Sequence, residues 1–565
     1  MWSKLQINMT GGSVEKHPLD ESLQGLGGRS MIAAYMMQHV PPTCDPLGAE
    51  NHLIVCLGIF AGTSFTTAHR LSIGAKSPLT GGIKESNVGG YAGKLLAEQG
   101  IKLLAIEGKS ETPQVLHIDA RGEAKLLDGA RYAGMGNYAL REALVSQFGE
   151  MIATITIGPA GERGYKSSTI MVSEYGHGYP SRAAARGGLG AVMGSKGLKA
   201  IVLEKPENRF DVPYVNADAF KQAVRDINQF IANAAQKDPF HNIGTVSTIE
   251  ATGRNGVLPV KNFSGELFPE FEKVGANVFM TNLAKRGGKN KQMCQPGCVV
   301  QCSNIYPDET GAYLTSGFEY ETIAMLGPNC QNTDLDAIAR MDRMCDDIGI
   351  DTIEAGNALA LAMEAGKVPW GDADAMQSVL DEVREDTAFG RIVGDGCEAV
   401  GLHLGVERIP VVKHQAMAGY EPRNTKGTGI TYATSPMGAD HTAGLTMGRA
   451  FDDAGRAAQA YASNKLQVAM CIADSMMCLF AFANAVPVLP KLGDMYDAMF
   501  GTDAGFAGLG KIGVQTLLTE RGYNKMAGFT EEDDRLPAFF YTDRSHATGS
   551  RFDINDYELE VLFDF

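Results

Sequence analysis

Cysteine, basic charge and long apolar runs are all scarce in this 565-residue chain. Each scarcity removes a class of protein. Ten cysteines are too few for a disulfide-stapled scaffold, so any that cluster read as metal ligands in a reducing compartment. Fifty Lys and Arg against 66 Asp and Glu leave a formal net charge of −16. That balance argues against nucleic acid as a partner, because phosphate binding runs on basic side chains. Small molecules and other proteins are the expected partners. No stretch approaches the roughly 20 apolar residues of a membrane helix, so no membrane partner is expected. The opening Met-Trp-Ser-Lys-Leu-Gln-Ile-Asn-Met-Thr has no apolar core of signal-peptide type, and a cytoplasmic location is the expectation. The chain also lacks an internal repeat of fixed period and a low-complexity tail.

What is present is length enough for about three or four domain-sized units, with an ordinary 44% hydrophobic and 21% charged content. Leu5, Ile7 and Met9 alternate ahead of Thr10-Gly11-Gly12 and Val14, which predicts a β-hairpin. Short apolar runs at 53–57, 103–106, 115–118, 152–157 and 200–203 predict further strands. From about Asp211 the texture changes. Stretches 217–235, 335–345, 352–365 and 373–383 carry apolar residues at three- and four-residue spacing and predict helices. The segment 410–441, rich in Gly, Pro and Thr, reads as loops over a functional site.

Three thiols stand within nine residues, in Met-Cys294-Gln-Pro-Gly-Cys298-Val-Val-Gln-Cys302. Iron-sulfur clusters take four thiolates, three commonly from one tight segment, so Cys471 or Cys478 is a candidate fourth ligand. The Pro-Gly pair bends the chain, and the spacing of Cys298 and Cys302 suits one face of a helical turn. Zinc and plain core thiols are the competing readings.

Two glycine-rich segments in the first 200 residues suit a phosphate-bearing ligand, since glycine lets backbone amides approach an anion and arginine grips its oxygens. One runs from Lys76-Ser-Pro-Leu-Thr-Gly-Gly to Ser86-Asn87-Val-Gly89-Gly90. The other is Ser181-Arg182-Ala183-Ala-Ala185-Arg186-Gly187-Gly188-Leu-Gly190. Neither is a Gly-x-Gly-x-x-Gly fingerprint or a P-loop, and tight turns alone are the bland alternative.

Taken together, these pieces resemble the tungsten- and molybdenum-dependent aldehyde:ferredoxin oxidoreductase family over nearly the whole chain. The resemblance implies an α+β fold: a sheet-rich N-terminal pterin-binding domain (1–208) followed by two mainly helical domains (209–415 and 416–565). It implies a tungsten or molybdenum atom between two pterins, magnesium bridging their phosphates, and a 4Fe-4S cluster nearby. Arg70, before Ser-Pro-Leu-Thr-Gly-Gly, takes the place of the family's pterin-binding arginine, and Asn87 and Gly89 belong to its phosphate segment. Arg182, Ala183, Ala185 and Gly187 complete that edge. Asp346-Asp347-Ile348-Gly349-Ile350-Asp351 resembles the first acidic pterin motif. Asp474-Ser475-Met476-Met477-Cys478, followed by Leu479, resembles the second, which favours Cys478 over Cys471 beside Cys294, Cys298 and Cys302. Asp474 and Cys478, four apart, are expected to share one helix face.

Phe318-Glu319-Tyr320-Glu321-Thr322 resembles the family's active-site segment, making Glu321 the acid/base candidate; an ordinary surface Glu is the alternative. His441 resembles its active-site histidine, against a satisfied core histidine. The implied reaction is oxidation of an aldehyde to a carboxylic acid, with electrons leaving to ferredoxin or a small ferredoxin-like subunit. A low-potential reductase of the same architecture and an iron-sulfur relay without pterin chemistry are the competing functions. Three departures from the family stand out. The cysteine gaps are three and three, and the second pterin motif is one residue short without its glycine. Where some members carry Glu-x-x-His for an interfacial iron, this chain reads Arg340-Met341-Asp342-Arg343, so any oligomer is expected to form without that iron.

Overall fold

The computed structural model of the protein describes residues 1–446 and 455–563. Its first 204 residues build two six-stranded sheets. The first uses β1 (Ser3–Asn8), β2 (Ser13–Pro18), β3 (Leu53–Leu57), β4 (Leu71–Lys76), β5 (Ile83–Val88) and β6 (Ile101–Glu107), in the order β2-β1-β6-β3-β4-β5. The second uses β7 (Gln114–Ile118), β8 (Ala124–Asp128), β9 (Ile152–Thr156), β10 (Ile170–Val172), β11 (Arg182–Ala184) and β12 (Leu198–Glu204), in the order β11-β10-β9-β12-β7-β8. Only β1 with β6 and β7 with β12 pair in parallel; the other ladders are antiparallel.

Leu5 and Ile7 of β1 point inward while Lys4 and Gln6 stay partly exposed, as a period of two requires. The two sheets share one apolar core, in which Leu5, Ile7 and Val55 meet Leu116, Ile155 and Ile201. All five predicted apolar strands and the hairpin are present. The edge strands β5 and β11 face each other, and the Ser86 hydroxyl donates to the Arg186 carbonyl at 3.1 Å. This juxtaposition brings Asn87 of one sheet beside Arg182 and Ala183 of the other.

The rest is mainly helical, as the spacing predicts: Ala217–Asn233, Leu335–Ile348, Thr352–Glu364 and Ala373–Glu385 are helices. A small three-stranded sheet, which the periodicity did not suggest, joins β13 (Lys289–Gln292), β14 (Ser303–Pro307) and β15 (Tyr313–Ser316). Segment 410–441 departs from the loop expectation. It holds a short ribbon and a buried helix, Lys426–Thr434. Gly427 and Gly429 sit in that helix because Thr446 and Phe552 press against them; a Cβ would come within 2.6 Å of each. Close packing overrides the low helix propensity of glycine there.

The N-terminal helix Gly28–His39 is tied to the C-terminal half by charge. Arg29 donates to both oxygens of Glu520 at 2.8 Å and reaches Asp474 at 3.4 Å, with all three side chains buried. Beside it, Gly28 (φ 50°) lies so near the Asp474 carbonyl that a Cβ would stand 2.1 Å from the oxygen. Removing one partner of such a pair leaves an uncompensated buried charge. We expect Arg29→Met to cost roughly 3–5 kcal/mol in urea denaturation; a loss below about 1 kcal/mol would show that the pair is dispensable.

Candidate functional site

A cavity of about 360 Å³ opens where the sheets meet the helices, with a smaller one of about 250 Å³ alongside. Arg70, Asn87, Ala183, Ala185, Glu321, Asp351, His441 and Leu479 line both. The larger adds Gly89, Arg182, Asp346, Ile350 and three thiols, Cys294, Cys302 and Cys478; the smaller adds Asp474. Two predicted residues stand behind the walls. Cys298 is buried in the apolar cluster that also holds Cys478, and Gly187 (φ 85°) packs on the Lys84 side chain, which a Cβ would meet at 2.5 Å.

The cysteine segment takes no helical form, contrary to the expectation for Cys298 and Cys302. Gly297 (φ 78°) and Gln301 (φ 53°) both adopt left-handed backbone, so the loop turns twice within six residues. Its hold comes from the first sheet. The Gly90 amide donates to the Cys294 carbonyl at 2.8 Å, and the Val299 amide donates to the Thr66 hydroxyl at 3.1 Å. Gly89 leaves room for Cys294, whose sulfur would lie 3.1 Å from a Cβ there.

Asp474 and Cys478 do not share a helix either. The helix Arg456–Met476 stops, Met477 is extended, and Cys478 opens the next helix. The reason is a competing bond: the Cys478 amide donates to the Thr67 hydroxyl at 3.0 Å, leaving the Asp474 carbonyl to Asn87 at 3.3 Å. Thr67 pays for this with φ 59°, a strained value for a β-branched residue.

Cys294, Cys298, Cys302 and Cys478 act on one another electrostatically, whereas Cys471 lies with Arg29 and Glu520. Among the described residues no group of three or more His, Cys, Asp or Glu is arranged to hold a single metal ion. Three thiols lining a wide cavity, with Cys298 just behind its wall, suit a multi-iron cluster better than one zinc. Burial and the neighbouring Cys294 push the Cys298 thiol up to about 12, so this donor set calls for cationic charge. Arg70, which donates to the side chain and backbone carbonyl of Asn87, supplies some of it from beside Cys478 and Cys294.

The acidic motifs work through local turns. Gly349 (φ 81°) ends the helix Leu335–Ile348 in left-handed backbone, and Asp351 caps the next helix by accepting from the Ile353 amide at 3.0 Å. That places Asp346 and Asp351 at one wall. Burial and Asp342 hold Asp346 well above the carboxylate range, while Arg186 contacts Asp351 at 3.3 Å. Asp474 is raised to about 6, chiefly by burial.

Glu321 and His441 meet directly, with Oε1 3.3 Å from Nε2. The Gly419 amide donates to the other oxygen, Oε2, at 2.7 Å. Burial raises the Glu321 carboxyl, opposed by His441. Oε1 of Glu321, Nδ1 of His441, Nε of Arg182 and Oε1 of Glu85 are buried without a hydrogen-bond partner. All four residues line the two cavities, which suits a polar guest.

Sequence reading missed several members of this shell. Asp342 lies one turn before Asp346 and accepts from Thr315 at 2.7 Å; the four-residue spacing was a usable signal. Glu319, two residues before Glu321, accepts from Thr245. Lys84 pairs with Asp440 at 2.9 Å; with Arg186 and His441 it overcomes burial and holds Asp440 well below the usual carboxylate range. Nothing in the sequence marks Lys84, Glu85, Arg29 or Arg186 as partners, because those pairings join distant segments.

Models of the aldehyde ferredoxin oxidoreductase N-terminal domain and of its domains 2 and 3 match residues 4–205 and 222–563. The chain belongs to the aldehyde ferredoxin oxidoreductase family. It is therefore an oxidoreductase-family enzyme, with the sheet-rich and helical arrangement that family predicts. A tungsten-containing aldehyde ferredoxin oxidoreductase of Pyrococcus furiosus is 32% identical over 78% of this chain and 73% of its own length. One from Thermococcus kodakarensis is 29% identical over 95% of this chain and 91% of its own. In fold, the active-site complex of benzoyl coenzyme A reductase superposes with a TM-score of 0.80 at 18% identity, covering 99% of this family member and 93% of that chain. No helix among the described residues is long and apolar enough to cross a membrane.

The paired carboxylates give this family member a pH signature. Burial raises Asp342 to about 7, whereas an unfolded Asp releases its proton near 4. The native state thus binds the extra proton between those values, and stability falls as pH rises from about 4 to about 7. Asp342→Asn stays neutral throughout. It should remove on the order of 2 kcal/mol of the difference between denaturation at pH 5 and at pH 7.5 in cofactor-free protein; an unchanged difference would refute the assignment.

Proposed function

We propose that this chain oxidises aldehydes to carboxylic acids at a tungsten (or molybdenum) bis-pterin centre, with electrons leaving through a 4Fe-4S cluster to ferredoxin or a ferredoxin-like subunit. The observation that carries the reading is the Glu321–His441 pair, set in the same cavity as Cys294, Cys302 and Cys478. The tungsten-containing relatives support the metal.

Each turnover converts aldehyde and water into acid, two protons and two electrons. When bound, the metal bis-pterin supplies the two-electron chemistry and the cluster relays electrons singly. The four cysteines would hold the cluster. Arg70, Asn87 and Arg182 would offer N–H donors to the pterin phosphates, Asn87 and Ala183 would lie nearest their magnesium, and Asp346, Asp351 and Asp474 would offer acceptors to the rings. Ala183, Ala185 and Gly89 keep the wall thin, while Ile350 and Leu479 supply apolar lining. Gly187 acts one layer back, against Lys84.

Glu321 is the proton acceptor. Its Oε2 is anchored by the Gly419 amide, which leaves Oε1, beside His441 Nε2 at 3.3 Å, as the oxygen that takes a proton in the cavity. His441, tilted against Tyr420 with ring centroids 5.6 Å apart, contacts that oxygen through Nε2 and has a buried Nδ1 without a hydrogen-bond partner. Because burial raises Glu321, the acidic limb of the rate profile should lie above the ordinary carboxylate value near 4.3.

Glu321→Gln should lower kcat with a viologen dye by roughly 10²- to 10⁴-fold and abolish that limb, at unchanged iron content. A variant retaining most of its activity would overturn the role. Anaerobic protein with about four irons per chain but neither tungsten nor molybdenum would sink the whole reading.

A further inference from the structure

Acidic residues make up 66 of 565, yet none occurs between Glu272 and Asp308, a stretch of 35 residues in which about four would be expected. The same stretch carries Lys273, Lys285, Arg286, Lys289 and Lys291, and it contains Cys294, Cys298 and Cys302. In a chain of net charge −16, the sequence around the three thiols is locally basic.

The structure sorts these charges. Lys273 pairs with Glu270, and Arg286 is spent on Asp336 through two bonds of 2.7 and 2.8 Å. Lys285, Lys289 and Lys291 are exposed and make no ion pair among the described residues. Lys289 and Lys291 lie on β13, the edge strand of the small sheet, which pairs with β14 alone; the short helix Asp238–Asn242 packs against it, and Asn290 donates to the Asn242 carbonyl. The register of β13 shifts between Lys289 and Gln292, and Lys291 adopts φ 56°, the kind of irregularity that re-aims a side chain. Lysines on an edge commonly serve to block strand pairing. The strand also runs straight into Cys294: three residues span at most roughly 11 Å, so the Lys291 backbone lies within that distance of the first cysteine.

We propose that this basic edge is where an acidic electron-carrier protein docks to collect electrons. Positive charge near the cysteine loop steers a negatively charged carrier and orients it there. The inference rests on the electron path proposed above and adds its surface and the sign of its partner. An exposed contact of this kind weakens with salt, since the Debye length is about 8–10 Å at physiological ionic strength.

The test is Lys289→Glu/Lys291→Glu, with Lys285→Glu/Lys289→Glu as a second variant should the first disturb β13. Each is assayed as anaerobic holoenzyme against an acidic 4Fe-4S ferredoxin and, in parallel, the small dication benzyl viologen. KM for ferredoxin should rise at least about ten-fold at low salt, and its steep salt dependence in the wild type should flatten, while turnover with viologen stays unchanged. An unchanged ferredoxin KM and salt slope in both variants overturns the proposal. If the wild type oxidises no aldehyde with viologen, the functional reading fails instead. Docking is then judged by direct titration of ferredoxin: salt-sensitive binding lost in the variants sustains it, and binding kept by both ends it.

Discussion

Arg29 is held between Glu520 and Asp474 in the interior, and much of the molecule is arranged around that fact. A guanidinium taken out of water needs its counter-charges in contact. Meeting that demand fixes the first helix against the long C-terminal helix Gly505–Ala527 and against the end of Arg456–Met476. Gly28, by lacking a side chain, lets the backbone come against the Asp474 carbonyl, and Asn87 takes the same carbonyl from the sheet side. A contact between positions 29, 474 and 520 thus sets one wall of the cavity.

The opposite wall solves the same electrostatic problem with an excess of carboxylates. Asp342, Asp346, Glu319 and Glu321 all sit above their ordinary range, chiefly through burial. Arg182 and Arg186 offset part of that charge: Arg182 binds Glu174 at 3.0 Å and Arg186 binds Asp351. The cavity between these walls is lined by buried polar atoms without protein partners, by carboxylates raised above their usual range and by three of the four thiols. The basic ground before Cys294 continues this pattern outward, with cationic charge placed where the thiols approach the surface.

Much of this was legible in the sequence because it is written locally. The strands and helices follow from apolar spacing, and Gly349 and Asp351 mark a helix end and a cap two residues apart. The cysteine run and the Glu-Tyr-Glu segment are short enough for their residue types to announce themselves. Two local inferences failed for one shared reason. Four-residue spacing implies a common helix face only if the backbone keeps its own hydrogen bonds. At Cys478 the amide donates to Thr67 instead, and between Cys298 and Cys302 the left-handed Gln301 (φ 53°) breaks the run.

The sequence by itself therefore determined the element types, the glycine and cysteine clusters, and the family motifs that carry Arg70, Asp346, Asp474 and Glu321. Only the tertiary structure decided that Cys478 rather than Cys471 stands with the other three thiols, that His441 faces Glu321, and that Lys84, Arg186 and Asp342 belong to the same shell. The physical reason is range. Propensity, capping and turn geometry act over a few residues, whereas buried charges pair with whatever the fold brings within about 4 Å, here across hundreds of positions.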